Sequence, residues 1–183
     1  VRPRPEEVAA GLPGDELVPE AQLAFDRAFD LPAPPAAVWP WLVQLGRGRA
    51  GWYLPGAVER LVPSGRRALR RIEPGLQHLT PGQVIADWGG RDATLEVVAH
   101  RAPEGDQPGI AVYRSTRGTA RFSWTLLLRP TPAGSRVHSR FRMAGVRRRR
   151  LAEFGGGALD LLTIAGLAAG LRERVGANPP NVR

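Results

Sequence analysis

The run AQLAFDRAFDLPAPPAAVWPWLVQL, residues 21–45, changes its apolar period halfway along, and that change decides the fold. Leu23, Phe25, Phe29 and Leu31 alternate with Ala24, Asp26, Ala28 and Asp30, a period of two that predicts a half-buried strand over 21–31. Arg27 falls on the apolar face. Two readings of it stand side by side: a cavity arginine that receives an anionic or carbonyl group, or a buried or rim cation paired with a nearby carboxylate. Pro32, Pro34 and Pro35 stop the strand. Beyond them Val38, Trp41, Leu42 and Leu45 are spaced i, i+3, i+4, i+7 and share one helical face. Pro40 is compatible with a helix that begins near Ala36, because its missing N–H then falls in the first turn. Gly46 ends the helix.

Working outward, residues 55–62 form a second short helical candidate, and 63–80 are basic and irregular. From Gly82 the pattern turns to β, with strand-like runs at 83–88, 94–101, 109–115, 120–129 and 136–143 separated by turn residues. Phe122, Trp124, Leu126 and Leu128 share one face, opposite Arg121, Ser123, Thr125 and Arg129. After the turn at 130–134, Val137, Phe141 and Met143 alternate with Arg136, His138, Arg140 and Arg142. A long apolar helix over 151–175 closes the pattern. Residues 1–20 read as an irregular arm with one helical turn near 6–10, and 176–183 as a flexible tail. A strand, two short helices, five strands and a long helix make an α+β order, not an alternating one. Short connections favour an antiparallel meander with its helices on one face. The expected architecture is a curved antiparallel sheet of six to seven strands around the long C-terminal helix. It forms one domain over 21–175, with a cavity wherever helix and sheet do not touch.

The chain has 183 residues, 43% of them apolar, enough for one core that buries roughly 70% of the unfolded surface. Its net charge is +9, and all 26 cations are arginine. A basic chain invites a nucleic-acid reading. The absence of lysine, together with abundant Ala, Gly and Pro, points instead to GC-rich codons, and no basic stretch alternates with aromatics as a base-stacking surface does. No specific nucleic-acid partner is expected. Arg147, Arg148, Arg149 and Arg150 read first as a solvated helix start, and second as a weak contact for an anionic membrane. The longest apolar run, residues 158–171, holds 14 residues including Asp160, short of the roughly 20 that span a bilayer. A cytoplasmic location is the default, with a removed leader left open by the absence of a starting methionine. With no cysteine, disulfides, thiolate nucleophiles and cysteine zinc sites are excluded.

APPAAVWPWLVQLGRGRAGWY, residues 33–53, resembles a signature of bacterial SRPBCC proteins, within the START-like superfamily that includes polyketide cyclase/dehydrase proteins. The lead-in EEVAAGLPGDELVP, residues 6–19, is similar to the arm that precedes that motif, and the resemblance extends over about residues 6–175. It implies a helix-grip fold and a hydrophobic cavity for lipids, hormones or polyketide-like molecules. It fixes no reaction, because fold does not imply function.

Gly46, Gly48 and Gly51 match G-x-G-x-x-G, but a helical face precedes them and Pro55 follows, so a helix cap and loop explain them better than a dinucleotide site. Trp52 and Tyr53 sit where the resemblance places the cavity mouth, there to stack on a planar ligand and donate one hydrogen bond, or else to anchor the second helix. Trp41, Trp88, Tyr113, Trp124 and Phe141 are further candidates for the ligand wall, with plain core packing the alternative for Trp124. His78, His100 and His138 lie 22 and 38 residues apart with no metal-ligand spacing, so no metal is expected. His78 is a candidate acid/base in its loop. Asp87 and Glu96 are strand carboxylates that pair with Arg27, or act as a base if desolvated. Gly156, in a run of three glycines, widens the cavity or lets a strand pack closely.

The function expected is binding of an aromatic, polyketide-like or lipid molecule without a cofactor. If catalysis occurs, it is a cyclisation or dehydration in which Tyr53, His78 or Asp87 moves protons and Arg27 polarises a carbonyl. The alternative is a lipid carrier or interaction module that docks through its arginines and has no chemistry.

Overall fold

The computed structural model describes residues 1–146 and 152–177. Alternation at 23–31 builds β1 (Leu23–Leu31), and the proline cluster after it starts α2 (Pro35–Gln44). Pro34 O receives the N–H groups of Ala37 and Val38, so the first turn closes without a side-chain cap. Trp39, Val43 and Gln44 are buried along with Val38, Trp41 and Leu42. The helix is therefore enclosed on more than the one face its spacing shows.

The second short helix is α3 (Gly56–Glu59). After the irregular connection come β2 (Val84–Ala86), β3 (Thr94–Arg101), β4 (Gly109–Arg117), β5 (Ala120–Thr131) and β6 (Gly134–Ala144). One six-stranded sheet results, in the order β1-β6-β5-β4-β3-β2, and every pairing is antiparallel. The strand expected over 83–88 is only three residues long. Asp87 and Trp88 lie beyond its end, where Gly89 and Gly90 turn the chain.

The last helix also differs from its expected form. A π-helical turn, Ala152–Gly156, leads into α4 (Gly157–Ala177). By length and composition Glu153–Ala177 is long and apolar enough to cross a membrane, more than the uninterrupted apolar run suggests. In this fold Ile164, Leu167, Ala168, Leu171 and Val175 are buried in the main core with Phe29, Leu31, Leu126, Leu128 and Val137. Arg174 ties α4 to the long connection after α2. Its guanidinium meets Glu59 Oε1 at 2.5 Å, donates to the carbonyls of Leu54, Leu69 and Gly170, and lies 4.4 Å over the Tyr53 ring. Gly170 permits this contact, since a Cβ there would stand 2.7 Å from the Leu54 nitrogen. Residues 147–151 and 178–183 lie outside the described residues, so the Arg147, Arg148, Arg149, Arg150 cluster and most of the expected tail do too.

The N-terminal arm covers the arginine face of β6. It carries α1 (Pro5–Ala9) and a 3₁₀ turn, Asp15–Leu17, and it packs across the convex side of the sheet. Leu12 joins Ile110, Val112 and Leu127 in a second small core there. Gly14, at φ +96°, presses so close that a Cβ would lie 2.7 Å from both Thr125 Oγ1 and Val112 Cγ1. Its positive φ and the contact both require glycine. Arg136, His138 and Arg140 do face away from the main core, but the arm buries them.

Candidate functional site

Side chains alternate across a strand, so register fixes which residues meet on the concave face. Phe25 pairs with Phe141, Phe141 with Trp124, and Trp124 with Tyr113. These four rings form one continuous row across β1, β6, β5 and β4. The next row toward the open end contains Leu23, Met143, Phe122 and Ser115. Phe122 lies 5.7 Å from Phe141, and Tyr113 stacks on Trp124 at 5.3 Å.

Over these rows stands the first half of α4, and between them is a cavity of about 360 Å³. Phe25, Phe122, Trp124, Phe141 and Met143 make its floor, and Leu159, Asp160, Thr163 and Ile164 its helical wall. Trp52 and Trp88 close one side, meeting edge to face at 5.5 Å, and Trp52 stands 6.1 Å from Trp124. Both inner indoles have engaged their N–H groups. Trp52 Nε1 donates to Thr163 O at 3.1 Å, and Trp124 Nε1 to Ser139 Oγ at 3.0 Å. These side chains offer a ligand ring faces, not donors.

Two charged pairs border this apolar floor. Asp87 pairs with Arg117, whose guanidinium also lies 4.9 Å over the Phe122 ring. Asp160, in the first turn of α4, faces Arg27 on β1, with Nε 3.0 Å from Oδ2. That N–H does not point at the oxygen, and both atoms are buried without a hydrogen bond. The rest of the Arg27 guanidinium donates to Asp26 O and Gly157 O. Burial pushes the Asp160 carboxyl up to about 6 against the pull of Arg27, and Asp26 adds to the rise. It is thus a half-desolvated carboxylate able to hold or release a proton near neutrality.

The structure brings Trp52, Trp88, Asp87, Trp124, Phe141 and Gly156 to the cavity. Gly156 stands over Phe25, whose ring a Cβ there would meet at 3.7 Å. The other candidates go elsewhere. Tyr53 is fully buried in the core, its hydroxyl donates to Trp41 O at 3.0 Å, and burial raises its pKa. Trp41 is buried beside it, 5.7 Å away edge to face. Tyr113 is buried behind Trp124, its phenol pushed up to about 12 by burial. His78 is exposed in the connection before β2. Glu96 forms a bidentate pair with Arg114 at 2.7 and 2.9 Å outside the cavity. Arg27 therefore takes neither Asp87 nor Glu96 as partner, because α4 delivers Asp160 to it across 133 residues (160 − 27).

Asp160, Arg117, Phe25, Phe122 and Met143 were not singled out as site residues from the sequence. The three apolar ones carry the signal of alternation, which marks a buried face without separating wall from core. Asp160 carries a weaker one, a lone charge in an apolar helical run.

A curved antiparallel sheet gripping a long C-terminal helix, with an aromatic cavity between them, defines the helix-grip α+β fold. No family model matches the chain, and no curated protein does. Solved structures share the fold. A hypothetical protein from Helicobacter pylori is 11% identical with a TM-score of 0.56, covering 89% of this chain and 94% of that one. A protein from Rhodobacter sphaeroides is 13% identical with a TM-score of 0.52, covering 84% and 92%. A norcoclaurine synthase point mutant from Thalictrum, in complex with a transition-state analogue, is 12% identical over 84% of this chain and 96% of that one, at a TM-score of 0.47.

Proposed function

We propose that the protein binds a hydrophobic, ring-bearing small molecule, aromatic or polyketide-like, between the sheet and α4. The observation that carries this reading is the unbroken aromatic row Phe25–Phe141–Trp124, flanked by Trp52, Trp88 and the helix around a partly open cavity of about 360 Å³. A space of that size accommodates a molecule of two or three fused rings, and an aromatic floor suits a planar one. Native mass spectrometry of the protein purified from its own host tests the proposal. A retained mass that is lost in Trp124→Ala is the expected outcome. A ligand-free spectrum, with no uptake of added polycyclic aromatics, would overturn it.

A second reading, cofactor-free cyclisation or dehydration, draws on the two charged pairs that border the apolar floor. Enclosure would hold a flexible chain in a reactive fold. Asp160 or Asp87 would then move protons, and Arg117 would polarise a carbonyl. Tyr53 and His78 take no part in this version, since neither lines the cavity. A purely non-catalytic carrier remains the alternative, and turnover of a retained polyketide-like ligand separates the two. Docking of such a carrier on an anionic membrane would rest on residues 147–150, outside the described residues.

A further inference from the structure

We infer that the ligand carries an uncharged hydrogen-bond donor, a phenolic or enolic hydroxyl on its ring system, and that the carboxylate of Asp160 receives it. This rests on the proposed binding of a ring-bearing ligand and narrows the class of molecule. The argument begins with a contrast among buried carboxylates. Glu7, Asp26 and Glu59 each accept directed hydrogen bonds from arginine or histidine side chains. Asp160 lines the cavity, and among the described residues no group donates a hydrogen bond to either of its oxygens. A desolvated carboxylate in that condition is costly unless a donor completes it.

The surroundings select the kind of donor. Thr163 turns its hydroxyl to the carbonyls of Leu159 and Asp160, and the indole N–H groups of Trp52 and Trp124 are engaged. Free capacity on the helical wall is therefore acceptor capacity, and the two unpartnered donors nearby, Arg27 Nε and Arg117 Nε, belong to guanidinium groups already paired with Asp160 and Asp87. Arg27 already stands 3.0 Å from Asp160 and balances its charge, while Arg117 and Asp87 form a second balanced pair. A cation would meet two guanidinium groups, and an anion would meet two carboxylates. A neutral hydroxyl meets neither penalty, and an O–H donating to a carboxylate makes a short, strong bond.

Calorimetric titrations at pH 8 with 2-naphthol, 2-methoxynaphthalene and 2-naphthylmethylammonium test this. The methyl ether keeps the ring and the oxygen but removes the donor. Wild-type protein should bind 2-naphthol about ten- to a hundredfold more tightly than the ether, and Asp160→Leu should reduce that ratio to near one. Should the leucine variant not fold, Asp160→Asn, neutral and of the same shape, should lose most of the ratio. Equal binding of naphthol and ether by the wild type overturns the inference and leaves the aromatic-ligand reading intact. So does tighter binding of the ammonium ion, or a ratio that survives both substitutions. Failure of all three probes to bind the wild type removes the cavity reading itself.

Discussion

On the convex face of the sheet, Arg140 is 4% exposed and every part of it is engaged. It donates to Asp26 and Asp15 and to the carbonyls of Glu7, Val8 and Ala10, and so fastens the N-terminal arm. On the concave face, one residue along the same strand from Asp26, Arg27 faces Asp160 with no aligned bond between them. Both faces bury charge that sequence alternation assigned to β1. On one face Arg140 and Asp26 are bonded by partners from three segments of chain, with only Asp15 Oδ1 and His138 Nδ1 left over among the described residues of that network, and they serve structure. On the other the pair is incomplete and opens on an aromatic cavity, which is the arrangement a ligand can complete.

The largest effect should come from breaking the convex-face network. Arg140→Leu takes a charged donor from Asp26, Asp15 and three arm carbonyls, so stability should fall by about 3–5 kcal/mol, read from urea unfolding. The arm should become protease-sensitive in the same variant. A loss below about 1 kcal/mol would show that the network does not hold the arm.

Titration should separate the two faces by sign. Glu7, bonded to Arg136, is held down at about 2 from 4.5, so the stability it contributes is whole above pH 4.5 and lost as pH falls through about 2. Asp160 is raised from 3.8 to about 6, so its contribution is whole below pH 3.8 and lost as pH rises through about 6. Wild-type protein should therefore gain stability relative to Asp160→Asn when pH falls from 7.5 to 4.5. With solvent screening allowed for, the gain is at most about 2 kcal/mol. Parallel urea midpoints for the two proteins across that range would contradict a desolvated Asp160.

How far the two faces were legible follows from what each depends on. Alternation at Phe25, Phe122, Trp124 and Phe141 is a local property, and it marks their shared buried face without separating cavity wall from core. The short helices and the long closing helix were legible for the same reason. The partner of Arg27 was not, because pairing it with Asp160 requires α4 to cross β1 in one particular register. The arginines of β6 were legible as facing away from the main core. Their burial was not, because it depends on an arm whose composition of Pro, Glu and Gly gives no periodic signal. Tyr53 was misplaced for a third reason: a phenol beside a tryptophan looks the same in sequence whether its hydroxyl meets a ligand or, as here, the carbonyl of Trp41.

A smaller effect should come from the arm's contact with β5. Thr125 Oγ1 donates to Pro13 O at 2.7 Å in the part-buried seam beside Gly14. Thr125→Val keeps the shape and removes the bond, so it should cost about 1 kcal/mol in chemical unfolding. Ligand affinity should stay the same, since the change lies on the face opposite the cavity. An altered affinity would mean that the arm and the cavity communicate through the sheet.

The smallest effect belongs to Glu96, a strand carboxylate expected from sequence to pair with Arg27 or to act as a base. Its carboxylate is held low by the hydrogen bonds from Arg114, on a solvent-facing surface outside the cavity. Exposed pairs of this kind are screened by salt and add little. Glu96→Gln should therefore leave naphthol affinity unchanged and shift the melting temperature slightly at low salt, with the shift vanishing at high salt. A loss of affinity in this variant would place ligand on the outer surface beside β4, and the division of labour between the two faces would fail at that edge.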